Sequence, residues 1–168
     1  MGVSVGGTSV KADLQRINNE LVVTVGKAKV VIGALNPDGT NKSLSDSGSL
    51  ELASGEAMSV RVEGFAPAAE AQFWLFSTPR LLDVTSANDA GRVAADVVIP
   101  DDVAPGDHRF VLSSISSDGN PMNMSVGIKV QPSDASGFRW EIALALLVLG
   151  AGGLAAFFLP AVLRRRAE

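Results

Sequence analysis

His108 is the only histidine among the 168 residues, and there is no cysteine. Nucleophilic catalysis of the Ser–His–acid kind would therefore have to run through one imidazole. No Gly-x-Ser-x-Gly elbow is present to lift a serine out of a strand-to-helix turn. His108 is read instead as a residue at the core rim of a strand, hydrogen-bonded locally. Without cysteine there is no thiol chemistry, and tetrahedral zinc is limited to weak His and carboxylate sites. Hard-cation oxygen ligands are better supplied: Asp101, Asp102 and Asp107 flank one loop, and Asp83 and Asp89 another. Acidic residues in such turns usually solvate and cap the backbone without an ion. Asn41-Lys42-Ser43 and Asn123-Met124-Ser125 match the glycosylation acceptor pattern, which often arises by chance. Gly150 to Gly153 is glycine-rich but lies inside an apolar run, where it cannot cradle a phosphate. These residues predict no catalytic site, no metal site and no cofactor. Trp74 is expected to fill the core and not to offer a stacking platform.

The elements that would carry these residues read as strands. From Gly48 to Val130 the hydrophobic pattern has period two, with turn residues every eight to twelve positions, the habit of a β-sandwich. Met58, Val60 and Val62 alternate with Ser59, Arg61 and Glu63. Phe73, Trp74, Leu75 and Phe76 are apolar in succession, as in a strand covered on both faces. Val93 to Ile99, His108 to Ser114 and Met124 to Val130 alternate again, and Leu81 to Thr85 and Ser49 to Leu52 are shorter candidates. Upstream, Ser9 to Leu14, Glu20 to Val25 and Lys27 to Leu35 read as a small meander, with Asn18-Asn19 as a turn. The expected division is a meander over 1–39, open to being part of a truncated upstream domain, a Ser/Asp/Gly-rich linker over 40–48, an Ig-like β-sandwich over 49–131, and a juxtamembrane linker over 132–141.

The remainder predicts a membrane anchor over 142–163 and a basic cytoplasmic tail over 164–168. Ile142 to Leu163 is 22 residues without a charge, and passes through Leu149 and Phe157 to Arg164, Arg165 and Arg166. A helix of that length spans about 33 Å, enough for a hydrocarbon core of about 30 Å. Arginines favour the cytoplasmic side, which puts the preceding residues outside the cell. A cytosolic tail-anchored topology would require moving three charges through lipid at about 2.5–3.5 kcal/mol each. The bilayer is thus one predicted partner, and a cell-wall or surface protein another. Up to Glu141 there are 17 acidic against 11 basic residues, a balance that repels nucleic acid. Met1 to Gly7 lacks the features of a secretory signal, so the chain is expected to be the C-terminal piece of a longer precursor, or Met1 an internal start.

At Gly64-Phe65-Ala66-Pro67, Trp74-Leu75-Phe76-Ser77-Thr78-Pro79 and Ala104-Pro105-Gly106-Asp107-His108 the chain resembles the membrane-proximal Ig-like modules of actinobacterial surface and secreted proteins. The resemblance covers nearly the whole chain and takes in Leu21 to Gly26 upstream. It departs at Ala69, Glu70 and Ala71, where small polar and β-branched residues are usual. It implies an all-β, Ig-like fold with a single C-terminal transmembrane helix, and architecture more than chemistry. No Leu-Pro-x-Thr-Gly sorting pattern lies between Val130 and Glu141, which favours retention by the helix itself. The leading expectation is a non-enzymatic surface stalk, spacer or adhesion module. The alternative is the anchor portion of a secreted enzyme or peptidoglycan-binding protein whose active domain lies upstream.

Overall fold

The structure, a computed structural model, describes residues 1–132, which fall in one compact unit. Twelve strands follow one another: β1 (Gly2–Val5), β2 (Thr8–Ser9), β3 (Asp13–Ile17), β4 (Glu20–Val25), β5 (Ala28–Ala34), β6 (Leu50–Ala53), β7 (Ala57–Glu63), β8 (Glu70–Phe76), β9 (Arg80–Ser86), β10 (Val93–Val98), β11 (Gly106–Ile115) and β12 (Pro121–Gln131). They form a seven-stranded sheet in the order β2-β1-β12-β11-β8-β9, with β6 also on β12, and a five-stranded sheet in the order β10-β7-β5-β4-β3. Pairing is antiparallel except between β6 and β12, which run parallel. Residues 1–132 are therefore all-β with two facing sheets. The anchor residues Ile142, Leu149, Phe157, Leu163, Arg164, Arg165 and Arg166 lie outside the described residues. Among the described residues no helix is long and apolar enough to cross a membrane.

Period-two patterning explains why the sheets close on each other. Val60 and Val62 of β7, Val30 and Ile32 of β5, Phe73 and Leu75 of β8, Phe110 and Leu112 of β11 and Met124 of β12 are all buried in one shared core. Phe73 and Phe110 stack with ring centroids 6.1 Å apart. Phe65 closes one end of that core, as its place in the Gly-Phe-Ala-Pro turn suggests. The turn needs its glycine: Gly64 has φ of 92°, and a Cβ there would stand 2.6 Å from the Lys27 carbonyl oxygen. Asn18 and Asn19, both at positive φ, make the two-residue turn between β3 and β4, which suits asparagine.

Two kinds of expectation are corrected, the division of the chain at 1–39 and 40–48 and the placing of Trp74. Residues 1–39 are not a separate meander, because β5 pairs with β7 from Lys29↔Glu63 to Ala34↔Met58, and β1 pairs with β12. Nor is 40–48 a free linker: Lys42 N donates to Ala34 O at 2.8 Å, Asn41 bridges Leu35, and Leu44 packs on the core. Serine and aspartate suggested flexibility there, but their backbone groups are used in pairing. The second correction concerns Trp74. It is Phe73 and Leu75 that face the core, whereas Trp74 and Phe76 lie on the outer face of β8. The physical reason is parity, since Glu70 and Gln72 share the face of Trp74 and could not be buried without partners.

Candidate functional site

His108 is the third residue of β11, on the core-side register, and is half-buried. Its Nε2 lies 2.8 Å from the Ala104 carbonyl oxygen, and its Nδ1 2.9 Å from Ser77 Oγ. A carbonyl only accepts, so Nε2 carries a proton, and in the neutral ring Nδ1 accepts the serine hydroxyl. This is a serine–histidine contact, but the second nitrogen is held by a backbone carbonyl, a weaker support for an imidazolium than a triad carboxylate. Its structural effect is to tie the β8–β9 turn to the segment before β11. The acidic loops are occupied otherwise. Asp102 accepts from Arg80 Nη1 at 2.6 Å, a bond that draws its carboxyl below the usual range, and Asp83 Oδ1 accepts from the Val84 N–H. Among the described residues no three His, Asp or Glu side chains gather as metal ligands would.

The chemistry that the fold does assemble lies on the outer face of the seven-stranded sheet. Strand registers align Leu81, Trp74, Val111, Ser125 and Gly2 in one row across β9, β8, β11, β12 and β1. The adjacent row is Val84, Gln72, Ser113, Asn123 and Ser4, ending on Ser9 of β2. Neither row contains a charged residue. Along β8, Trp74 Nε1 donates to Gln72 Oε1 at 3.1 Å, and Gln72 Nε2 donates to Glu70 Oε1 at 2.6 Å. That chain pins the indole, and the Phe76 ring lies against it with centroids 6.3 Å apart and a 46° tilt. Phe76, Leu81 and Val84 are about 40% exposed (40%, 44% and 41%), so the patch is presented to solvent. Ser113 Oγ donates to Asn123 Oδ1 at 2.7 Å, which leaves that amide's N–H donors unspent by this bond.

Two glycines deepen this face. Gly2 and Gly127 carry no side chain where neighbours do, and a depression of about 660 Å³ lies over them, bordered by Phe76, Arg109 and Ser125. A second, of about 250 Å³, shares Gly2 and Ser125 and continues over Val111 and Asn123. Charges stand beside these rows: Arg109 lies directly opposite Phe76, Asp107 and Arg109 line the larger depression, Lys129 lies further along β12, and Glu70 sits at the other end of β8. The sequence held one signal for this site. In Glu70-Ala-Gln72-Phe-Trp74-Leu-Phe76, the polar members share parity with the tryptophan.

Over residues 1–132, fold and site together describe a two-sheet all-β unit whose seven-stranded sheet carries two charge-free rows beside an aromatic pair on its outer face. No protein-family model matches the chain, and no curated protein matches it. A similar solved structure is the soluble domain of PmoD from Methylocystis sp. ATCC 49242 (Rockwell). It is 12% identical with a TM-score of 0.41, over 66% of this chain and 97% of that one. That level of similarity carries no functional assignment.

Proposed function

We propose that the chain is a single-pass surface protein, anchored by 142–163, whose Ig-like sandwich works outside the cell as a non-enzymatic adhesion module. The strand order supports the Ig-like reading. In sequence β7 and β10 pair as second and fifth strands of a seven-strand sandwich do, and β8, β11 and β12 as third, sixth and seventh. The observation that carries the functional part is the exposed side chains of Phe76, Leu81 and Val84 around the half-buried Trp74. A stalk or spacer requires only solvated outer faces, whereas contiguous exposed apolar surface marks an interaction site.

Protease added to intact cells tests the topology. Cleavage of the domain, with an epitope after Arg166 protected until the membrane is opened, is the expected outcome. Protection of the domain in intact cells would overturn it in favour of a cytosolic tail-anchored protein.

A further inference from the structure

We propose that the outer face of the seven-stranded sheet binds an uncharged polysaccharide, with Trp74 and Phe76 as the stacking surface and the Gln72–Ser113–Asn123–Ser4 row as its hydrogen-bonding rail. This rests on the adhesion-module reading above and names the chemistry of its ligand. A sugar ring presents an apolar C–H face and a rim of hydroxyls that both donate and accept. The matching protein surface is an aromatic plane of fixed orientation beside neutral amide and hydroxyl groups. Both are present here. The indole cannot swing freely, because its N–H is held by Gln72 and the Gln72 amide in turn by Glu70. Preorganisation of this kind lowers the entropy lost on binding.

Charge selects among occupants. The two central rows carry none, so an uncharged ligand meets no uncompensated ion when it displaces water from them. An anionic glycan would approach a protein of formal charge −4 and lie between Glu70 at one end and the mixed charges Asp107, Arg109 and Lys129 at the other, with no cation within the two rows to pair it. Shape agrees. The two depressions share Gly2 and Ser125 and lie over β1, β11 and β12, the larger beside Phe76 and the smaller over Asn123 and Ser4 of the rail.

The test uses the full chain in detergent micelles, applied to neutral insoluble glucans and chitin and, in parallel, to a uronate polymer. Retention on at least one neutral polysaccharide is expected, with at least a tenfold loss for Trp74→Ala. Ser113→Glu leaves the aromatic pair in place, puts a charge in the rail, and is expected to lose as much; it keeps the test decisive if Trp74→Ala unfolds. Ala94→Glu, on the opposite sheet, should bind as the parent does. The inference is overturned by retention on the uronate polymer alone, by no retention on any neutral polymer, or by retention that both Trp74→Ala and Ser113→Glu leave intact. If neutral glycans fail while protease still cuts the domain on intact cells, only this inference falls and the surface reading stands. A domain protected on intact cells removes the surface reading instead.

Discussion

The outer faces of the two sheets are built from strands of the same period, yet they differ in what they present. On the five-stranded sheet the outward residues include Lys29, Arg61, Glu63 and Asp96, and Arg61 pairs with Glu20 while Arg92 pairs with Glu63 at 3.4 Å. On the seven-stranded sheet the corresponding central positions are Trp74, Val111, Gln72, Ser113 and Asn123. The first face also exposes Ile17 and Val98 at its two edge strands, but its central positions carry charges that pair with one another and no aromatic ring. The second leaves aromatic area and neutral polar groups exposed together. Solvation alone does not require such a surface, and the contrast, more than either face by itself, is the ground for the proposed binding face.

The strongest challenge to this contrast is to ask which side of β8 matters for folding. Phe73→Ala, beneath the face, should cost about 3–5 kcal/mol, because it opens a cavity against Phe110. Trp74→Ala, on the face, should cost less than half of that. Thermal or denaturant unfolding of the two variants decides it, and equal losses would mean that the indole belongs to the core after all.

Next in size is the effect of charge placed on each face. Ser113→Glu should reduce ligand retention at least tenfold, whereas Ala94→Glu on the five-stranded sheet should leave both binding and, within about 0.5 kcal/mol, stability unchanged. Comparable binding losses from both would erase the distinction between the sheets.

A smaller effect is expected at Glu56, whose carboxylate accepts from Lys42 Nζ at 2.8 Å and from the Ala53 N–H at 2.7 Å. Burial pushes this carboxyl up, but the Lys42 bond, the Ala53 N–H and the Lys42 charge together outweigh it and hold it below the usual range. A depressed folded value means stability that is present above the unfolded value of about 4.3 and is lost as pH falls through the folded one. Glu56→Gln should therefore be less stable than the parent by about 1 kcal/mol at pH 7, with the gap closing on acidification below pH 4 or so. A gap that is constant with pH would show that the carboxylate's charge is not what stabilises this turn.

The smallest effect belongs to the ion pair on the charged face. Arg61→Ala should cost about 0.2–1 kcal/mol, and the difference should shrink as salt is raised. A loss well above that range would give the five-stranded sheet's outer face a structural weight that its exposure does not suggest.

Much of this was legible in the residues. The alternation through Met58 to Glu63 and through Met124 to Val130, and the Asn-Asn turn, located strands and turns closely. The Ser77–His108 contact was not legible, since it joins residues 31 positions apart through sheet pairing. Nor was β1, whose four residues Gly-Val-Ser-Val are too few to rise above the background. The segment 40–48 was misjudged because composition reports side-chain polarity, while its order comes from backbone bonds to Ala34 and Ser49.

Residue order alone determined that this chain makes two-faced strands, which residues could be buried, and that an uncharged 22-residue run is followed by three arginines. Those properties are local, set by the alternation of side chains along an extended backbone and by the transfer of apolar groups out of water. Only the tertiary structure decided that Phe73 and not Trp74 turns inward, that the N-terminal strands complete both sheets, and that Gln72, Ser113, Asn123 and Ser4 stand in one line. Those outcomes depend on register between strands distant in sequence, and a shift of one residue in any of them would send the whole row to the other face.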